Sequence, residues 1–175
     1  PMTSTGVDYD NLARLIDFQI ENGVAALVAV GTTGESATLT TAERKEVIRF
    51  TVERTAGRVP VVAGTGTNNT EHVLDFTKSA CDDGADAVLV VTPYYNKTSQ
   101  AGLVAHFNAI ADAATLPVIV YNVPSRTGLN IGPEALATIC EHENIIAVKE
   151  ANSDVGQAME KIRLCGDKVA FYSGN

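Results

Sequence analysis

Ile145-Ile146-Ala147-Val148-Lys149 is a continuous apolar run that ends on an amine, and Glu150-Ala151 follows it. A strand with one face in water alternates apolar and polar residues. A strand covered on both faces does not need to, and unbroken Val/Ile/Ala runs mark parallel strands in α/β proteins. Five more runs of this kind stand on the N- and C-terminal sides: Ala25–Val30, Pro60–Ala63, Ala87–Val91, Pro117–Tyr121 and Val169–Ser173. They recur about every 30 residues, the size of a strand-helix-strand unit.

The segments between the runs read as helices. Asp10–Asn22 puts Leu12, Leu15, Ile16 and Ile20 on one stripe and stops at Gly23. Thr40-Thr41-Ala42-Glu43 has capping-box spacing. Thr70–Asp82 runs to Gly84, and Gln100–Ala113 ends before Pro117. Pro133 suits the first position of a helix running to about His142, and Asp154 caps one that ends near Gly166. No linker interrupts the pattern, so residues 1–175 read as one domain. Six successive units fit either a doubly wound sheet or a (β/α)8 TIM barrel. Gly64-Thr65-Gly66-Thr67-Asn68-Asn69 lacks the third glycine of a dinucleotide fingerprint, and no P-loop pattern is present.

Composition limits the function classes. The chain carries a formal net charge of -8, which argues against nucleic acid or an anionic membrane as a bulk electrostatic partner. No apolar run reaches membrane-span length, and Pro1 is not followed by a signal-peptide pattern. Cys81, Cys140 and Cys165 form no C-x-x-C pair and read as small buried hydrophobes in a reducing, cytoplasmic compartment. His72, His106 and His142 are far apart, so no metal site is expected.

The chemically distinctive residues all follow the runs: Gly31-Thr32-Thr33-Gly34-Glu35-Ser36, Gly64-Thr65-Gly66, Thr92-Pro93-Tyr94-Tyr95-Asn96, the segment Tyr121 to Gly128, Lys149-Glu150-Ala151 and Ser173-Gly174-Asn175. In a barrel these ends converge on one mouth, where active sites are built. Lys149 there is partly desolvated, which favours the neutral, nucleophilic amine. The plain alternative is a solvated lysine at a strand end. Tyr121 reads either as a proton relay or as a core tyrosine with a satisfied hydroxyl. Thr32 and Thr33 offer hydroxyls and amides for a carboxylate, or simply make a turn. Arg126 offers a fork for a second carboxylate, or is a surface arginine.

In order and spacing, Gly31-Thr32-Thr33-Gly34-Glu35-Ser36, the Tyr-Tyr-Asn segment, Tyr121-Asn122-Val123-Pro124-Ser125-Arg126-Thr127-Gly128 and Val148-Lys149-Glu150-Ala151 resemble the dihydrodipicolinate synthase / N-acetylneuraminate lyase family across the whole chain. The resemblance implies a TIM barrel, present here as its second to seventh strands. The first and eighth strands and a C-terminal helical extension would be absent. It implies a lyase that condenses pyruvate with aspartate-4-semialdehyde through an imine on Lys149, at the entry to diaminopimelate and lysine, without metal or organic cofactor. Tyr121, Thr32 and Tyr95 would relay protons, with Tyr95 reaching in from a neighbouring subunit of a homodimer or homotetramer. Thr33, Arg126 and Gly174 would bind substrate.

Ser36, Ala37, Asn68 and Tyr94 match the family's lysine-feedback cleft. Thr41, Arg44 and His72 stand where tight lysine sites use His, His and Glu, so feedback is not expected. N-acetylneuraminate lyase and keto-deoxy-sugar-acid aldolases on the same fold are the rival activities. Thr32-Thr33 with Arg126 favours the synthase. A catalytically silent binding barrel is the rival from outside the enzymes. Two unpaired sheet edges make a partial or truncated sequence the expectation, with poor activity for these 175 residues alone.

Overall fold

The computed structural model describes residues 1–174. Met2–Thr3 (β1) and Gly6–Val7 (β2) pair as a short antiparallel hairpin. Two-residue strands are too short for any periodicity, so this hairpin is new relative to the sequence. Six parallel strands follow: Leu27–Ala29 (β3), Val61–Gly64 (β4), Ala87–Val91 (β5), Val118–Asn122 (β6), Ile145–Glu150 (β7) and Ala170–Ser173 (β8). They hydrogen-bond in strict sequence order, β3-β4-β5-β6-β7-β8, and curl into a half-barrel. A doubly wound sheet reverses its strand order at a switch point, and this sheet does not, which decides between the two architectures.

Helices α1 (Tyr9–Glu21), α2 (Thr41–Thr55), α3 (Thr70–Asp82), α4 (Gln100–Ala113), α6 (Pro133–Ile139) and α7 (Val155–Cys165) intervene, with a one-turn helix α5 at Pro124–Thr127. The start signals in the sequence are physical caps. Thr40 and Glu43 form the reciprocal capping box, and Asp154 accepts the Gln157 amide at 3.0 Å.

Strand alternation splits the core in two. Ala29, Val61, Ala63, Val88, Val90, Val118, Val120 and Val148 pack outward against helix residues such as Ile48, Val73, Leu103, Phe107 and Ile110. Each fully buried aliphatic side chain contributes about 2 kcal/mol. The smaller inner cluster holds Val62, Ala87, Leu89, Tyr121, Val123 and Ala151. The helices therefore cover one face, and the other lines the concave side of the half-barrel.

Several boundaries differ from expectation: the helix from Pro133 ends at Ile139 rather than near His142, and the first strand begins at Leu27 rather than Ala25. The first run ends at Ala29, because Val30 turns left-handed at φ 56. The Pro124–Thr127 segment, which lies between the fourth run and the helix expected at Pro133, is a helical turn with Pro124 in its first turn and Gly128 ending it at φ 68.

Candidate active site

The C-terminal ends of β3, β6, β7 and β8 border one cleft of about 400 Å³, and those of β4 and β5 border a small recess beside it. The cleft lining includes Gly31, Thr32, Thr33, Tyr121, Arg126, Lys149 and Gly174, so six of the seven residues singled out as catalytic or substrate-binding meet there. The register explains the centre. Tyr121 on β6 is the direct partner of Lys149 on β7, and with period two both face inward. The Lys149 amine lies 4.3 Å from the Tyr121 ring centroid. The side chain is half-buried, and burial holds its pKa below that of an ordinary lysine. Among the described residues lining the cleft there is no carboxylate to offset that burial, since the adjacent Glu150 points outward.

Gly174 makes room for the amine. A Cβ there would fall 2.9 Å from Ala151 Cβ and 3.2 Å from Lys149 Cε. Its amide donates to Glu150 O at 2.7 Å, which fixes the end of β8 against β7. Asn175 lies outside the described residues.

Opposite stands the Thr32–Gly34 turn, closed by Gly34 N to Gly31 O at 2.9 Å and Glu35 N to Thr32 O at 3.0 Å. The amides of Thr32 and Thr33 begin the turn and have no acceptor within it. Two glycines bring the neighbouring strands close. A Cβ on Gly64 would lie 2.2 Å from Val30 O, and one on Gly66 2.4 Å from Val91 N. Arg126 rides on α5, where Thr127 donates to Leu129 O at 2.9 Å.

Tyr95 is not in this cleft. It is 90% exposed and left-handed at φ 71. Ser36 borders a small recess shared with Thr32, Gly64 and Tyr121, and Ala37 sits in the adjoining turn. Asn68 O accepts from Asn96, two residues beyond Tyr94, at 3.1 Å. Arg44 is buried over the Phe76 ring at 4.0 Å, and burial lowers its pKa.

Sequence reasoning missed what lies behind β6 and β7. Glu150 and Lys161 form an ion pair at 2.8 Å with side-chain exposures of 8% and 0%. Asn122 donates to Glu150 at 2.8 Å and to Asn130 at 2.9 Å. Period two was the available signal, since the residue after an inward Tyr121 or Lys149 faces outward.

A partly desolvated amine stacked on a tyrosine, at the C-terminal mouth of parallel βα units, stands where an α/β barrel enzyme places its active site. The chain belongs to the dihydrodipicolinate synthetase family, whose model matches residues 1–175. It is 53% identical over its whole length to the 4-hydroxy-tetrahydrodipicolinate synthase of Clostridium perfringens, covering 60% of that protein. The dihydrodipicolinate synthase structure from Aquifex aeolicus matches all of it at 42% identity and TM-score 0.97, with 60% of that chain covered. The pyruvate complex of the Acinetobacter baumannii enzyme matches 99% of it at 44% identity and TM-score 0.96, again with 60% of that chain covered. The chain thus spans about 60% of the length of the relatives it matches.

Proposed function

We propose that Lys149 is the imine-forming nucleophile of a lyase that condenses pyruvate with aspartate-4-semialdehyde to 4-hydroxy-tetrahydrodipicolinate. The observation that carries the reading is the desolvated Lys149 amine 4.3 Å from the Tyr121 ring, within a cleft that also holds Thr33 and Arg126. The neutral amine attacks the ketone carbon of pyruvate, and water leaves to give the imine. The methyl carbon then loses a proton, with the imine nitrogen as electron sink, and the enamine adds to the aldehyde. The amine of the second substrate attacks the imine carbon and frees Lys149.

Thr33 with its turn amides holds the pyruvate carboxylate, and Arg126 forms a bidentate pair with the carboxylate of the semialdehyde. Thr32 and Tyr121 move the protons. Tyr95 completes the relay in a neighbouring copy of a homodimer or homotetramer, a role that its exposure supports. The chemistry calls for no metal or organic cofactor. The buried Arg44 cation beside Tyr94 opposes binding of lysine, which carries two ammonium groups, at Ser36, Ala37, Asn68 and Tyr94.

The test is incubation with pyruvate and borohydride, followed by turnover assays with aspartate-4-semialdehyde and with N-acetylneuraminate. The reading expects a reduced pyruvyl adduct and turnover of the semialdehyde alone. An unmodified protein, or one that turns over N-acetylneuraminate instead, contradicts it.

A further inference from the structure

Behind the site, on the helix-covered face of the sheet, lies a buried polar cluster that the proposed reaction does not use. Its centre is the Glu150 carboxylate, which accepts from Asn122 Nδ2 at 2.8 Å, the Asn152 amide at 2.9 Å and Lys161 Nζ at 2.8 Å. Asn122 also donates to Asn130 Oδ1 at 2.9 Å and accepts the Ile131 amide at 3.1 Å. Asn130 Nδ2 donates to Gln157 Oε1 at 2.6 Å. One network thus joins the end of β6, the end of β7, the segment after the Arg126 turn, and α7.

The placement ties the network to the chemistry. Asn122 and Glu150 are register partners, one residue beyond the partners Tyr121 and Lys149. The inner pair faces the cleft, and the outer pair is bonded across the same two strands. A buried ion pair adds little net stability compared with apolar packing of the same volume. A purely structural role therefore gives no reason for a lysine 0% exposed at this place.

We infer that Glu150 and Lys161 are positioning residues for Lys149: the carboxylate pins the end of β7 to β6, and the Lys161 ammonium cancels its charge so that the amine on the opposite face stays free of a carboxylate's field. This deepens the proposed function and rests on its assignment of Lys149. The charged and titratable groups facing Lys149 are few. Tyr121 stands on β6, Arg126 on α5, and Tyr172 is its register partner on β8. The Thr32–Gly34 turn supplies only hydroxyls and amides. Behind β7 stand Glu150 and Lys161.

The claim predicts shifts of opposite sign. Lys161→Met leaves Glu150 negative behind β7 and favours the Lys149 ammonium. Glu150→Gln leaves Lys161 positive and disfavours it. One unpaired charge across a strand moves a titration midpoint by about one pH unit, a tenfold change in the neutral fraction. The double variant removes both charges, and the side-chain amide introduced by Glu150→Gln still offers an oxygen to Asn122.

The experiment is the initial rate of borohydride-trapped pyruvyl adduct against pH, for wild type, both single variants and the double variant. Expected midpoints run Glu150→Gln below wild type, the double variant level with it, and Lys161→Met above. Single variants with identical midpoints, or with shifts of the same sign, overturn the inference. If one single variant does not fold, the sign of the other's shift decides. If neither folds, Lys161→Gln, which keeps a donor to Glu150, takes the place of Lys161→Met under the same criterion. A wild type that gives no adduct instead refutes the assignment of Lys149 itself, so the two failures are distinguishable.

Discussion

Replacing Gly64 with alanine tests how strand packing sets the position of the Thr32–Gly34 turn. The added Cβ would lie 2.2 Å from Val30 O, 2.7 Å from Val30 C and 3.1 Å from Ala29 O. All three are backbone atoms, so no side chain can swing away. Ordinary contact needs about 1 Å more, and β3 must move by that amount against β4. Val30 has little freedom to adapt, because it is a β-branched residue already held at φ 56. Overpacking costs up to about 3 kcal/mol, and the backbone character of these contacts places this case at the upper end. For a chain of this size that lowers Tm by about 6–12 °C.

The displacement also shifts the Thr32–Gly34 turn, which follows β3, relative to Lys149. A misplacement of about 1 Å costs about 100-fold in rate. Thermal unfolding followed by circular dichroism reads the first effect, and the rate of pyruvyl-adduct formation reads the second. Gly34→Ala is the control for stability, since a Cβ there meets nothing within 4 Å. It should shift stability by no more than about 0.5 kcal/mol. A Gly64→Ala protein that melts within about 1 °C of wild type, against the several degrees expected, refutes the tight Val30–Gly64 approach.

Other consequences follow from the same geometry. Tyr121→Phe keeps the ring under the Lys149 amine but removes the hydroxyl, so turnover should fall by about 100-fold or more while pyruvate binding, by calorimetry, changes little. Lys149 has its pKa lowered by burial, so the unfolded state binds more protons between the folded and ordinary lysine values. Stability should therefore rise with pH through that window, and Lys149→Met should remove that slope in denaturant titrations run at several pH values. His106 is buried with its Nδ1 against Thr70 Oγ1 at 2.9 Å, and burial lowers its pKa to about 4. Its stabilising contribution is present above the ordinary histidine value and is lost as pH falls toward about 4, so His106→Leu should flatten acid unfolding over that range.

The strands were legible because burial on both faces writes itself into sequence as unbroken Val, Ile and Ala. The helix starts were legible because caps are local: Thr40 with Glu43 and Asp154 with Gln157 lie within one turn. Lys149 and Tyr121 each close an apolar run, which alone leaves plain alternatives open; the Gly31–Ser36 and Tyr121–Gly128 segments in register singled them out. What stayed hidden depends on distant pairing. Nothing in the helical segment around Lys161 says that its partner is Glu150, and the need for glycine at Gly64 appears only when Val30 arrives beside it. The α5 turn carried its signals, Pro124 at its start and Gly128 after it, but four residues are too few to show a helical period.

The central claim is that the amine of Lys149 bonds covalently to a keto acid. Tandem mass spectrometry of the digested protein after pyruvate and borohydride tests it most directly. The account predicts one reduced pyruvyl group on the peptide that contains Lys149 and none on the Lys149→Arg protein. An adduct mapped to a different lysine, or one that survives that substitution, contradicts it.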